Sequence, residues 1–127
     1  MDKTALVSFD IDNGQRVIDA IEKSGIVPEV ALWVVLPEYE DWRLVIASKS
    51  INRLASDGGY GAINAAIRDA HIPLYSTPTI FVRDLNDPFI QSLRSAFGQT
   101  SDTYGMRLGG QRFGNQYVED AFVYRIH

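Results

Sequence analysis

The sequence predicts an α+β domain, a two-layer sandwich with about three helices packed on a mostly antiparallel sheet of five to six strands, in the order αββαβαββ. The expectation rests on apolar residues at helical spacing in three places, two β-branched runs joined by a short polar loop, and a Gly-Asn pair between extended stretches near residue 114. Strands with so short a link pair antiparallel, because a parallel pair needs a crossover of roughly a dozen residues or more.

Asp12-Asn13-Gly14-Gln15 puts a capping acid three residues ahead of a glutamine, an arrangement that satisfies free amides at a helix start. Val17, Ile18 and Ile21 then share one helical face and Gly25 supplies a left-handed stop, so a first helix is expected over 13–24. The apolar run 5–9 ahead of it reads as a short strand. Residues 29–36 are nearly all apolar around Trp33 and lie between Pro28 and Pro37, the pattern of a strand covered on both faces. After the loop 37–41, residues 42–48 are expected to return as its hairpin partner.

Ser56-Asp57-Gly58-Gly59 precedes Tyr60, Ile63, Ala66, Ile67 and Ala70, which keep helical spacing until Pro73 forbids continuation. Residues 79–83 make a brief β-branched and aromatic run. Asp87-Pro88 then gives an N-cap followed by proline at the first helical position, with Phe89, Ile90, Leu93 and Phe97 as the buried stripe and Gly98 as the stop. The polar stretch 99–104 reads as a mobile loop. Gly114-Asn115 predicts a type II′ turn joining 106–113 to 117–126.

At 127 residues the chain is expected to form one domain, 1–127, around one core. With no cysteine it has no disulfide, thiol nucleophile or cysteine metal site. The start MDKTALVSFDID lacks the features of a secretory signal, and no apolar run approaches the roughly 20 residues of a membrane span, so a soluble cytoplasmic protein is expected. Residues 1–72 carry seven Lys/Arg against eleven Asp/Glu, whereas residues 73–127 carry five of each. That acidic balance disfavours generic nucleic-acid binding, which draws on a basic excess.

Several clusters bear on function. Asp10-Ile11-Asp12, read as the end of a strand, would present two carboxylates on one side. It is similar over about eight residues to the first motif of haloacid-dehalogenase-like phosphatases, which implies a cation site. The likeness then stops, since Asn13 precedes Gly14 and the Gly-Thr that normally follows is missing. Asp12 as a helix cap beside a solvated Asp10 explains the same residues.

The loop Glu38, Tyr39, Glu40, Asp41 with Trp42 combines three carboxylates with two aromatic residues of the kind enriched at protein-binding hot spots. Its ordinary explanation is a polar hairpin loop whose Trp42 turns inward. In the stretch 106–116, Gly109 and Gly110 would let a backbone approach a ligand, and Arg107 and Arg112 are candidates to grip a phosphate or carboxylate. Glycine pairs in strands also mark bulges, and the spacing matches neither a Walker loop nor a dinucleotide fingerprint. Asp120 aims at the core if alternation holds from Val118 to Ile126; it is expected to sit at the wet end of the strand, the alternative being a pair with Arg112 across the hairpin.

His71, at a helix end, and His127 form no spaced ligand pair, and Ser48, Ser50 and Ser56 lack a nucleophile elbow. Neither a metal nor a cofactor is expected. The leading expectation is a protein-binding or regulatory module using residues 38–42. The alternative is a small enzyme or ligand-binding domain for a phosphate-containing substrate, with Arg107 and Arg112 as anion contacts and Asp10 or Asp120 as metal or base candidates.

Overall fold

The computed structural model describes residues 5–51 and 57–127; Ser56 of the expected turn before the second helix lies outside them. Helix α1 spans Ser8–Lys23, strands β1 and β2 span Val30–Val35 and Arg43–Ala47, and helix α2 spans Tyr60–Asp69. Strand β3 (Ile80–Arg83), helix α3 (Pro88–Phe97) and strands β4 (Gln111–Phe113), β5 (Gln116–Val118) and β6 (Asp120–Ile126) follow.

Helix α1 starts five residues earlier than expected, and 5–9 is not a strand. Val7 is the N-cap residue, and its side chain has nothing to offer the free amides. The Asp10 carboxylate instead reaches back to accept the Val7 N–H at 3.2 Å, so the stabilising acid is Asp10 and not Asp12. Asp10 and Asp12 therefore sit in the first turns of a helix and not at a strand end. That placement removes the structural basis of the resemblance to phosphatases.

The far end of α1 follows expectation. Gly25 has φ 102°, and the Ile26 N–H bonds the Ile21 carbonyl at 2.9 Å. His71 makes the same left-handed stop for α2, with φ 58° and Ile72 N–H on the Ile67 carbonyl. At the start of α2 the Asp57 carboxylate accepts the N–H groups of Gly59 and Gly61, both at 2.9 Å. Asp87 caps α3 by accepting the Phe89 N–H, and Pro88 follows it as the first helical residue.

The main sheet has four strands in the order β3-β2-β1-β6, and β4 and β5 make a separate two-stranded ribbon. Strand β1 pairs antiparallel with β2 and β6, whereas β3 runs parallel to β2, so the sheet is mixed. The parallel step is possible because α2 lies between those two strands and supplies the long crossover. The expected hairpin of 106–113 with 117–126 keeps one register throughout. It runs from Val123 N–H on the Met106 carbonyl, through Leu108 on Ala121 and Gly110 on Glu119, to the Phe113–Gln116 pair. Gly114 has φ 61°, and Asn115 is not among the residues of positive φ, as a type II′ turn requires.

The helices lie on both faces of the sheet, which corrects the two-layer expectation. One face packs Ala31, Trp33, Leu44, Ile46, Phe122 and Tyr124 against Val17, Ile18 and Ile21 of α1 and Ile63 and Ile67 of α2. The other packs Leu32, Val34, Val45, Ala121 and Val123 against Phe89, Ile90 and Leu93 of α3 and Phe113 and Val118 of the ribbon. Every residue of β1 is buried, in agreement with a strand covered on both sides. The β1–β6 ladder shifts register between Ala31 and Leu32, leaving Tyr124 and Arg125 opposite Ala31. This bulge resets the alternation, so Tyr124 faces α1 while Ile126 joins the α3 side.

Candidate functional surface

Strand β1 ends, and β2 and β6 begin, at one end of the sheet. The two stretches singled out in the sequence meet there. Glu38, Tyr39, Glu40 and Asp41 are exposed in the β1–β2 loop, and Trp42 turns partly inward against the core beneath α1 and α2. Arg107 bridges to Phe122 of β6 and holds its guanidinium 5.9 Å from the centre of the Trp42 ring. Its Nη2 donates to Asp120 Oδ2 at 2.6 Å. From the ribbon, Gln116 Nε2 donates to the Glu38 carboxylate at 3.3 and 3.4 Å.

The partner of Asp120 is thus Arg107 and not Arg112. The carboxylate is half-exposed and also accepts the Ala121 N–H at 2.8 Å, so its charge is balanced by a wet ion pair and a backbone amide. Arg112 lies near the turn, 6.0 Å from the Tyr117 ring centre, and donates to the Asn115 carbonyl at 3.4 Å. The two arginines have separate partners and do not converge on one anion position. The glycines serve the backbone: a β-carbon on Gly109 would stand 2.9 Å from the Glu119 carbonyl oxygen, and Gly110 has φ 65°. Gly114 is as constrained, since a β-carbon there would meet the Pro88 carbonyl oxygen at 2.6 Å.

Beside the loop lies a cation-aromatic cluster that sequence reasoning missed. The Arg43 guanidinium lies 4.4 Å from the Tyr39 ring centre and 5.1 Å from that of Phe81, while Arg83 approaches Phe81 at 5.4 Å. Tyr39 and Phe81 meet edge to face. Among the described residues the Nε of each arginine, sealed from solvent, has no acceptor, and the aromatic rings lie beside the guanidinium groups. The missed signal was the β2–β3 pairing itself, which sets Arg43 beside Phe81 from 38 residues away in sequence.

On the opposite side of β1, the Trp33 indole N–H donates to the Tyr124 hydroxyl at 2.8 Å, and that hydroxyl donates to the Ile11 carbonyl at 2.6 Å. Burial, with the carboxylates of Asp12 and Asp10 adding to it, pushes the Tyr124 hydroxyl above the ordinary tyrosine range. Among the described residues no three His, Asp or Glu side chains gather in a way that could hold a metal ion, and no helix is long and apolar enough to cross a membrane. Comparison with protein-family models, curated proteins and solved structures finds no match.

Proposed function

We propose that this domain is a protein-binding module that meets its partner with the end of the sheet carrying the β1–β2 loop. The observation that supports this reading most is the position of Arg107, between Trp42 and Asp120, which joins the acidic-aromatic loop to the glycine-arginine strand in one surface. Three exposed carboxylates, a tyrosine and a half-buried tryptophan make a patch suited to a basic partner surface. A cytoplasmic setting, read from the sequence, belongs to the same proposal.

The phosphate-ligand alternative draws on Arg107 and Arg112, and the pairing of Arg107 with Asp120 weighs against it. Capture experiments test the reading. Tagged wild-type protein and a Glu38→Lys/Glu40→Lys/Asp41→Lys variant are compared as bait from native lysate, with nuclease added. A stoichiometric protein partner retained by wild type and lost by the folded variant is the expected result. Equal recovery by both baits overturns the surface. A rise in melting temperature with phosphate esters or nucleotides but no protein capture moves the assignment to a small ligand.

A further inference from the structure

A cleft opens near this end of the sheet, on the α1–α2 side. It has a volume of about 60 Å³, and Phe9, Asp10 and Asn13 of α1, Trp33 of β1, and Tyr75 and Ser76 line it, with Thr77 and Pro78 closing one side. Two features set it apart from an ordinary surface dimple. The first is a pair of large apolar side chains left in solvent at its rim: Phe9 is 57% and Tyr75 84% exposed. The second is a pair of largely buried polar side chains in its lining that have no hydrogen-bond partner among the described residues. Asn13 is 6% and Ser76 7% exposed, and neither side chain makes a hydrogen bond to any described residue. Neither belongs with the atoms sealed from solvent, so their polar atoms reach the space of the cleft. The carboxamide and the hydroxyl are therefore open to a molecule that enters the cleft and replaces the water at these atoms.

The chemistry of the lining selects the partner. Asp10 is a carboxylate with one oxygen on the Val7 N–H, and Asn13 and Ser76 add neutral oxygens, so the cleft is rich in acceptors. Aromatic faces at the rim and Trp33 at the base favour a cation. The N-terminus of α1 carries about half a positive charge, which the carboxylates of Asp10 and Asp12 outweigh.

We propose that this cleft receives an arginine side chain from a protein partner, its guanidinium stacked against Phe9 and Tyr75 and donating to Asp10, Asn13 and Ser76. Arginine fits better than lysine because its head is planar, stacks on rings and carries five donors for several acceptors. The assignment deepens the reading of the domain as a protein-binding module and rests on it, but it uses no residue of the 38–42 loop.

The test is a titration of the isotope-labelled full chain with N-acetyl-arginine amide, following the Trp33 indole N–H signal by NMR, with a Trp42→Phe variant fixing which indole is which. A saturable shift is expected, with the citrulline analogue, which is the same shape without charge, binding at least roughly tenfold more weakly. Tyr75→Ala removes an exposed ring, and Asp10→Asn keeps an acceptor for Val7, so both variants fold; each is expected to weaken the response severalfold. No shift, an equal response to citrulline or lysine analogues, or an undiminished response in both variants overturns the assignment. A Trp33 response that persists when the loop variant captures the same proteins as wild type separates the two proposals: the loop surface then fails and the cleft stands.

Discussion

Trp33 and Tyr124, 91 residues apart in sequence, share a buried hydrogen bond of 2.8 Å that ties the central strand β1 to β6. The tyrosine hydroxyl in turn donates a hydrogen bond to the Ile11 carbonyl and so fixes the first turns of α1 to the same point. Tyr124→Phe keeps the ring but leaves an indole N–H without its acceptor. The expected cost is about 1–3 kcal/mol, read as a lower urea midpoint at unchanged slope. An unaltered midpoint would mean that water replaces the hydroxyl without loss.

Gly14 faces the same pair. A β-carbon there would overlap the Tyr124 hydroxyl and stand 2.9 Å from the Trp33 indole nitrogen. In an exposed helix interior, Gly→Ala stabilises by about 1 kcal/mol. Here overpacking against two hydrogen-bonded rings reverses the sign, and Gly14→Ala is expected to cost about 1–3 kcal/mol. Thermal unfolding decides between the two signs directly.

Alkaline unfolding should report on Tyr124. Its hydroxyl loses a proton less readily in the folded chain than in the unfolded one, whose value is about 10. Below that pH both states hold the proton and the shift leaves stability unchanged. Above it the unfolded state loses protons first, so stability falls as pH rises. The wild-type midpoint should therefore drop above about pH 10 more steeply than that of Tyr124→Phe, and parallel curves would exclude Tyr124 as the cause.

The Arg107–Asp120 pair is half-exposed on both sides, at 51% and 39%. A double-mutant cycle with Arg107→Ala and Asp120→Ala should give a coupling of about 0.2–1 kcal/mol, smaller at high salt. A much larger coupling would mean that the pair is a structural clamp and not a feature of the binding surface.

At the hairpin tip, Gly114 combines φ 61° with close approach to the start of α3. Gly114→Ala is expected to cost about 2 kcal/mol or more, because the turn must strain and the ribbon must lift from Pro88. Hydrogen exchange would then accelerate in β4 and β5 before the main sheet.

Elements marked by caps and stops were legible in the sequence. Asp87-Pro88 opens α3, Gly25 ends α1, and the spacing of Ile63, Ala66 and Ile67 lies on the buried side of α2. The start of α1 was not legible because Val7 has no capping atom, and the acid that replaces it lies three residues inside the helix. The parallel β2–β3 step escaped because short links speak only for strands adjacent in sequence. The third layer was implied by the all-apolar β1, yet which helices cover which face depends on crossovers that periodicity does not encode. Residues 38–42 and Arg107 were legible as types, whereas their meeting depends on β6 lying beside β1. The cleft at Asn13 was hidden for the same reason, since it draws residues from α1, β1 and the 75–78 turn.

The position of β1 has a kinetic consequence. Its neighbours are β2, only a loop away, and β6, the strand synthesised after all the others. One edge of the most apolar strand thus stays open until a loop of some 90 residues closes. Folding should be slower than the helix content suggests, and the rate-limiting event should be the docking of β6.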